Sequence, residues 1–178
     1  AKAHGIPAIG VADTSSLSGI YPIKEALSKA GVQPLQGIQI PVSHAAIDRP
    51  GQETSEIIIY ARSKEGYDAI CALLSTALSG DGSIPLKSLA DPKATRDCWV
   101  LTGGPRGPVD SALTNGPLGV ERARTRLASL KKLLGSKLLV EIQRQTREDI
   151  ARTLPLIKLA EEMNIPVVAT HEAWYVSP

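Results

Sequence analysis

Short apolar runs that alternate with amphipathic stretches predict a chain in which strands and helices follow one another. Strands are indicated at 6–13, 36–42, 56–61, 99–101, 138–143 and 165–170, where apolar runs end in polar or glycine-containing loops. The third run carries Ile57, Ile58 and Ile59, which is typical of a strand buried on both faces. This alternation favours a parallel sheet, either doubly wound or an arc of a barrel, with any chemistry at the strand ends.

Apolar residues spaced three and four apart predict the helices between these strands. One helix begins after Ser63 and stops at Gly80, a second stops at Gly135, and a third covers 146–163 with a kink or restart at Pro155. An earlier helix closes at Gly31, and 81–96 is predicted to be a loop with a short helix at 86–89. The predicted buried stripes are Tyr67, Ile70, Cys71, Leu74 and Leu78 in the helix after Ser63, and Val120, Ala123, Leu127, Leu130 and Leu134 in the helix before Gly135.

Composition places the chain among ordinary globular proteins. Its 178 residues are 43% hydrophobic and 21% charged, so residues 1–178 are predicted to form a single domain, which the abrupt ends suggest is partial and truncated at both ends. The formal charge of +2 gives no strong field for nucleic acid or a membrane. Cys71 and Cys98 form no CxxC motif, which favours a reducing cytoplasm. No apolar run is as long as a membrane span.

Polar residues at the predicted strand ends are the candidates for chemistry. A metal centre would use Asp13, Glu141, His171 and Glu172, which lie at or near these strand ends. Alternation along a strand places Glu141 on one face with Gln143 and Gln145. The chain has only three histidines, however, and hydrolytic metal sites usually draw on several histidines and carboxylates. The sequence therefore favours a hydrogen-bonded polar cluster over a working metal site.

Two further features have a functional and a structural interpretation. The segment 102–107 contains Gly103, Gly104 and Gly107 but matches neither dinucleotide- nor nucleotide-binding glycine motif, so turn glycines explain it better than a phosphate cradle. A set of basic residues could contact a DNA backbone, although such residues more often form the solvated face of an amphipathic helix. These residues are Arg122, Arg124, Arg126, Lys131 and Lys132.

Six stretches, in order and at matching spacing, resemble the PHP domain of the bacterial replicative DNA polymerase III alpha subunit. They are 5–14, 32–38, 63–74, 101–108, 139–144 and 165–170, and together they extend over almost the whole chain. The variants Asp13-Thr14 and Thr102-Gly103-Gly104-Pro105 most resemble the alphaproteobacterial branch. The resemblance implies an α/β fold, a partial, distorted (β/α)7 barrel with parallel strands whose first strand lies upstream of residue 1.

The resemblance also implies a degenerate metal site. Members with an intact site carry an Asp-His pair, then a Glu, a His after the Gln-Arg pair, and a further His near the end. The matching positions here are Asp13 and Thr14, then Gln39, Gln145 and Trp174, so only Asp13 keeps the family's residue type. Thr and Gln are poor metal ligands and Trp is none, and neutral side chains can satisfy each other by hydrogen bonds.

For function, the resemblance implies a non-catalytic piece of a polymerase. The domain would brace the remainder of the alpha chain and dock the proofreading exonuclease (epsilon) subunit in the cytoplasm. DNA would be met through the parent protein, a DNA-directed DNA polymerase with magnesium at its own polymerase site. The alternatives are an active metal-dependent PHP phosphoesterase or nuclease, the PHP domain of an error-prone alpha subunit, and an unrelated α/β metabolic enzyme.

Overall fold

A computed structural model describes residues 2–45, 51–113, 118–171 and 173 as a mixed α/β fold. The chain divides into two compact units, residues 1–100 and 101–178. Two contact clusters can belong to one domain, so the single domain stays a prediction. No helix within these described ranges is long and apolar enough to cross a membrane.

Unit 1 (residues 1–100) contains most of the strands. Its elements are β1 (Ala8–Val11), α1 (Ile20–Lys29), β2 (Gln33–Ala45), β3 (Gln52–Ala61), α2 (Lys64–Leu78), β4 (Ile84–Pro85) and the greater part of β5 (Cys98–Leu101), with 3-10 turns at Lys2–His4 and Leu86–Ala90. Strand order in its sheet is β1-β2-β3-β5, and β4 pairs with β2. The short helix predicted at 86–89 is thus confirmed as a 3-10 turn.

β2 and β3 form a long antiparallel hairpin, from the Gly37–Tyr60 pair to the Ala45–Gln52 pair. The predicted parallel direction is confirmed for β1 with β2 and for β4 with β2. It is wrong for β2 with β3, and so is the expectation of a helix between every two strands. Both strands extend beyond the predicted 36–42 and 56–61, because backbone pairing continues through polar ends that carry no apolar signal. His44 lies in this extended part of β2.

Isoleucines form the core of unit 1, and the predicted burial of Ile57, Ile58 and Ile59 is confirmed at 8% exposure or less. The predicted stripe of α2 is partly wrong, since Leu78 is 63% exposed. The residues of α2 that are buried are Gly66, Ala69, Ile70, Leu73 and Ala77. Small residues set this rotation: a Cβ at Gly66 would lie 2.4 Å from the backbone oxygen of Asp97, so this glycine lets the helix approach closely.

Two glycines make room for one tyrosine across β1, β2 and β3. A Cβ at Gly10 would lie 2.5 Å from the Tyr60 hydroxyl, and one at Gly37 would lie 2.5 Å from the Tyr60 ring. Gly37 also faces the backbone oxygen of Ile59, where a Cβ would approach to 2.7 Å. The Tyr60 side chain therefore occupies the space that side chains on the two neighbouring strands would need.

Unit 2 (residues 101–178) packs helices against a parallel pair of strands. Its elements are α3 (Asp110–Leu113), α4 (Gly119–Leu134), β6 (Leu138–Gln143), α5 (Asp149–Glu162) and β7 (Val167–Thr170), with 3-10 turns at Gly104–Arg106 and Gly135–Lys137. β6 and β7 pair in parallel from Val140–Val167 to Gln143–Thr170, as predicted. α5 runs through Pro155 as one helix.

The predicted stripe of α4 is confirmed except at its first residue. Ala123, Leu127, Leu130 and Leu134 are 5% exposed or less, whereas Val120 is 43% exposed. The buried residue of the first turn is Gly119, where a Cβ would lie 2.4 Å from the backbone oxygen of Leu113. Close approach of α3 to the start of α4 therefore turns Val120 outward.

Candidate functional site

Three of the predicted site positions meet through the backbone where the chain leaves β1 and passes beside the middle of β2. Thr14 forms an isolated parallel bridge with Gln39, and the Gln39 amide N–H donates to the Asp13 carbonyl oxygen at 3.2 Å. The Gln39 carbonyl in turn accepts from the Ser15 amide at 2.9 Å. Asp13 and Thr14 are exposed, and Gln39 is 7% exposed. The resemblance thus identified positions that the fold does bring together.

Gln39 uses its side chain as a hydrogen-bond donor to a carboxylate on the next strand. Its Nε2 donates to Oε2 of Glu56 across the β2–β3 hairpin. A carboxylate at position 39 could not donate in this way and would set two negative charges against each other. Glu56 therefore matches an amide at this position, in the absence of any cation.

Asp13 lies beside the start of α1. A Cβ at Gly19, the residue that precedes α1, would lie 2.5 Å from Oδ2 of Asp13, and Gly19 supplies no side-chain cap. Negative charge near the first turn of a helix is favourable because the unpaired amides there carry partial positive charge. Asp13 thus lies where its negative charge suits the start of α1.

In unit 2, Glu141 is the centre of a buried hydrogen-bonded cluster. It is 1% exposed, and its Oε1 accepts from Nε2 of Gln143 at 3.1 Å and from Oγ1 of Thr170 at 2.5 Å. Its backbone amide donates to Oγ1 of Thr102 at 3.0 Å. Glu141 and Gln143 share a strand face, as predicted, and Thr170 reaches them from the paired strand β7. Oε2 of Glu141 is buried with no hydrogen-bond partner in the described part of the chain.

A second buried cluster in unit 2 consists of Asp110, Arg152 and Asp149. Arg152 donates from Nη1 to Oδ2 of Asp110, and from Nη2 to the Gln143 carbonyl at 2.9 Å and to Oδ1 of Asp149 at 3.0 Å. Burial raises the pKa of Asp110 to about 6, against the opposing effect of Arg152. Backbone amides of Thr146 and Gln145, with Arg152, hold the pKa of Asp149 well below its usual range. The cluster of Asp110, Arg152 and Asp149 was not predicted from the sequence.

Of the remaining predicted positions, the structure describes Gln145 and His171. Gln145 is exposed and its backbone amide donates to Oδ2 of Asp149 at 2.8 Å. His171 is exposed, while Glu172 and Trp174 lie outside the described residues. Within 2–45, 51–113, 118–171 and 173, no group of three or more His, Cys, Asp or Glu side chains is arranged to hold a metal ion.

Several of the predicted basic residues on α4 bind groups of their own chain. Arg124 pairs with Glu162 at 2.5 Å and with Glu121 at 3.6 Å, and Nζ of Lys131 donates to the Met163 carbonyl. Arg122 and Arg126 also interact within the chain. The DNA contact of Arg122, Arg124, Arg126, Lys131 and Lys132 stays a prediction.

The glycines of 102–107 serve the turn between β5 and α3. Gly103 and Gly104 have φ of 83° and 53°, which side chains other than glycine rarely adopt. A Cβ at Gly107 would lie 1.7 Å from the Thr102 carbonyl oxygen. These positions require glycine for the turn itself, in keeping with the structural interpretation of the segment.

Unit 1 also contains an open cleft of about 520 Å³. Its lining residues are Ile20, Tyr21, Lys24, Gln36, Ser63, Lys64 and Tyr67, and none of them is a predicted site residue. Of its two lysines, Lys64 is paired with Asp68 at 2.7 Å.

Comparison with known proteins decides the family. A model of the PHP domain matches residues 1–145, which is most of the chain. The chain belongs to the PHP family. This PHP domain is 28% identical to the DNA polymerase III subunit alpha of Caulobacter vibrioides over 97% of its length and 16% of that protein. It is 27% identical to the corresponding subunits of Neisseria meningitidis serogroup B and Escherichia coli K12, over 99% of its length and 16% and 15% of theirs.

The PHP domain thus spans about one sixth of these relatives. Among solved structures it is similar to a protein of Bifidobacterium adolescentis described as a candidate metal-dependent phosphoesterase, with a TM-score of 0.54 and 14% identity over 94% of this chain and 77% of that one. The predicted PHP-type fold is therefore confirmed, and so is the resemblance to the polymerase alpha subunit.

Proposed function

We propose that this chain is the PHP domain of a replicative DNA polymerase III alpha subunit, in which it acts as a metal-free structural scaffold. Relatives that bear the name of this subunit match 97–99% of the chain. The observation that carries the scaffold assignment is the pairing of Gln39 with Glu56, at a position where the family resemblance expects a ligand carboxylate. An amide that is already hydrogen bonded has no need of a cation.

In this proposal the PHP domain braces the remainder of the alpha chain and docks the proofreading exonuclease subunit. Nucleotidyl transfer, with its magnesium ions, and the principal DNA contacts belong to other parts of the parent polypeptide. This proposal is supported by Gln39 and Glu141, two candidate site residues whose side chains are engaged in hydrogen bonds within the chain.

Metal content is the first test. The chain is purified without chelator, offered zinc and manganese, dialysed, and measured by mass spectrometry. We expect no stoichiometric metal, because Thr14, Gln39 and Gln145 supply no strong ligand. The control variant carries Thr14→His, Gln39→Glu and Gln145→His, and a gain of metal by this variant alone shows that the assay detects a site. Tight metal in the unchanged chain would overturn the scaffold assignment.

The fold likeness to a candidate phosphoesterase makes metal-dependent hydrolysis the competing function. It predicts release of phosphate from a simple phosphate ester that stops on addition of EDTA. Under our proposal the chain shows no such release with zinc, manganese or magnesium present, and chelator-sensitive turnover would favour the competing function instead.

A further inference from the structure

Two carboxylates in unit 2 are buried and each has one oxygen that lacks a hydrogen-bond partner among the described residues. They are Oδ1 of Asp110, in a residue that is 3% exposed, and Oε2 of Glu141, in a residue that is 1% exposed. A buried acceptor without a donor costs free energy, and more so when it is charged. Something other than the described side chains must therefore relieve at least one of these oxygens.

A proton on Asp110 would relieve this cost without any additional group. A metal ion would need several oxygen ligands, and Arg152 already occupies the other oxygen of Asp110. Arg152 has two further acceptors, Asp149 and the Gln143 carbonyl, so it keeps partners when Asp110 is neutral. The cluster can therefore exist with Asp110 either protonated or ionised, and Arg152 keeps hydrogen-bond partners in both states.

The charges around Asp110 come from several elements. Arg152 and Asp149 lie on α5 and Glu141 on β6, and the two carboxylates oppose ionisation of Asp110 while Arg152 favours it. Two further elements pack against α3. The 3-10 turn Gly104–Arg106 carries Arg106, and helix α4 carries Glu121 and Arg122. Burial outweighs the attraction of Arg152, which is consistent with a pKa of about 6 for Asp110.

We propose that Asp110 is a pH-sensitive contact between α3 and α5: it holds a proton in the folded chain at mildly acidic pH, and near neutral pH it loses this proton and forms a buried ion pair with Arg152 that is less favourable for the fold. The folded chain then binds this proton more tightly than the unfolded chain, whose Asp110 has an ordinary pKa. The associated stability is fully present below about pH 4 and is lost as pH rises to about 6. This behaviour is independent of the polymerase assignment.

The test compares urea unfolding of the full chain with that of Asp110→Asn between pH 4 and pH 8. Relative to the variant, we expect the folding constant of the unchanged chain to fall with rising pH, by up to about tenfold per pH unit, and to level off above pH 6. Asp149→Asn is the matched control, because the depressed pKa of Asp149 gives a contribution that is lost only as pH falls below about 4. Its difference profile should therefore be nearly flat between pH 5 and pH 8.

A direct reading on the unchanged chain makes the test independent of whether either variant folds. The carboxyl carbon of Asp110 is followed by NMR against pH, with the side-chain nitrogens of Arg152 as the second signal. We expect both to change with a common midpoint near 6. Parallel unfolding profiles for wild type and Asp110→Asn, or an Asp110 midpoint below 4, overturn the proposal. A midpoint that shifts between EDTA and added magnesium also overturns it, since a cation would then occupy the cluster.

Discussion

At the scale of single residues, two of the candidate site residues make side-chain hydrogen bonds within the chain. Gln39 donates to Glu56, and Glu141 accepts from Gln143 and Thr170. Asp13 lies beside the start of α1. These contacts are consistent with a structural role for the positions that the resemblance indicated.

The Gln39–Glu56 pair gives a prediction at this scale. Gln39→Glu should destabilise the fold by about 1–3 kcal/mol at neutral pH, because a donated hydrogen bond becomes a repulsion between two partly buried carboxylates. The loss should shrink as pH falls, since one of the two groups then takes up a proton. Urea unfolding at pH 7 and pH 5 measures both effects.

Gln33→Glu is the matched control, because Gln33 is exposed at the start of the same strand. It should change stability by less than about 0.5 kcal/mol. Equal losses in the two variants would mean that the contact between Gln39 and Glu56 contributes nothing.

The sequence predicted the residues at 13, 14 and 39 that meet, but not the cluster around Arg152. The first set was indicated by the family resemblance, which relates positions that are distant along the chain. Asp110 and Arg152 are 42 residues apart and neither lies in a motif, so only the tertiary structure pairs them. The one available signal was an acidic residue that follows a glycine-rich turn, and this pattern is too common to indicate a buried carboxyl.

At the scale of elements, glycine positions decide how closely strands and helices approach. Apolar periodicity predicted the existence of α2 and α4, yet it gave the wrong rotation for α2 and the wrong first residue for α4. In both helices a glycine, Gly66 or Gly119, packs directly against the backbone of a neighbouring segment, so the helix face that carries this glycine is the buried one. A hydrophobicity pattern does not register a residue that is buried because it is small.

Gly37 provides the test of this view. Gly37→Ala should cost about 1–3 kcal/mol, because the added methyl group meets the Tyr60 ring and the Ile59 carbonyl within 2.7 Å. Thermal or urea unfolding measures the loss. Gly80→Ala is the control, since a Cβ there meets nothing closer than 3.7 Å, and it should be neutral or slightly stabilising. A neutral Gly37→Ala would show that Tyr60 moves aside freely.

At the scale of the whole molecule, the chain is a small part of the proteins it resembles. It spans about one sixth of the polymerase alpha subunits that match it. Family, fold and the order of the landmarks were predictable, because six stretches along the sequence carried them. The β2–β3 hairpin was not, because its polar ends and the residues 46–50 between its strands gave no apolar pattern.

The proposed docking of the exonuclease subunit is tested at this scale. The full chain, mixed with the exonuclease subunit of the same organism, should co-elute with it in size-exclusion chromatography and give a saturable binding isotherm by calorimetry. An unrelated PHP phosphoesterase serves as the control and should elute separately. Independent elution of the two polypeptides at concentrations well above those in a cell would count against docking through this domain.

The contact between Gln39 and Glu56 also bears on how this lineage can change. A single substitution that places a carboxylate at position 39 meets the charge of Glu56 on the neighbouring strand, which should lower the stability of the fold. A carboxylate at position 39 should therefore be tolerated best together with a compensating substitution at position 56. The two positions are expected to change together.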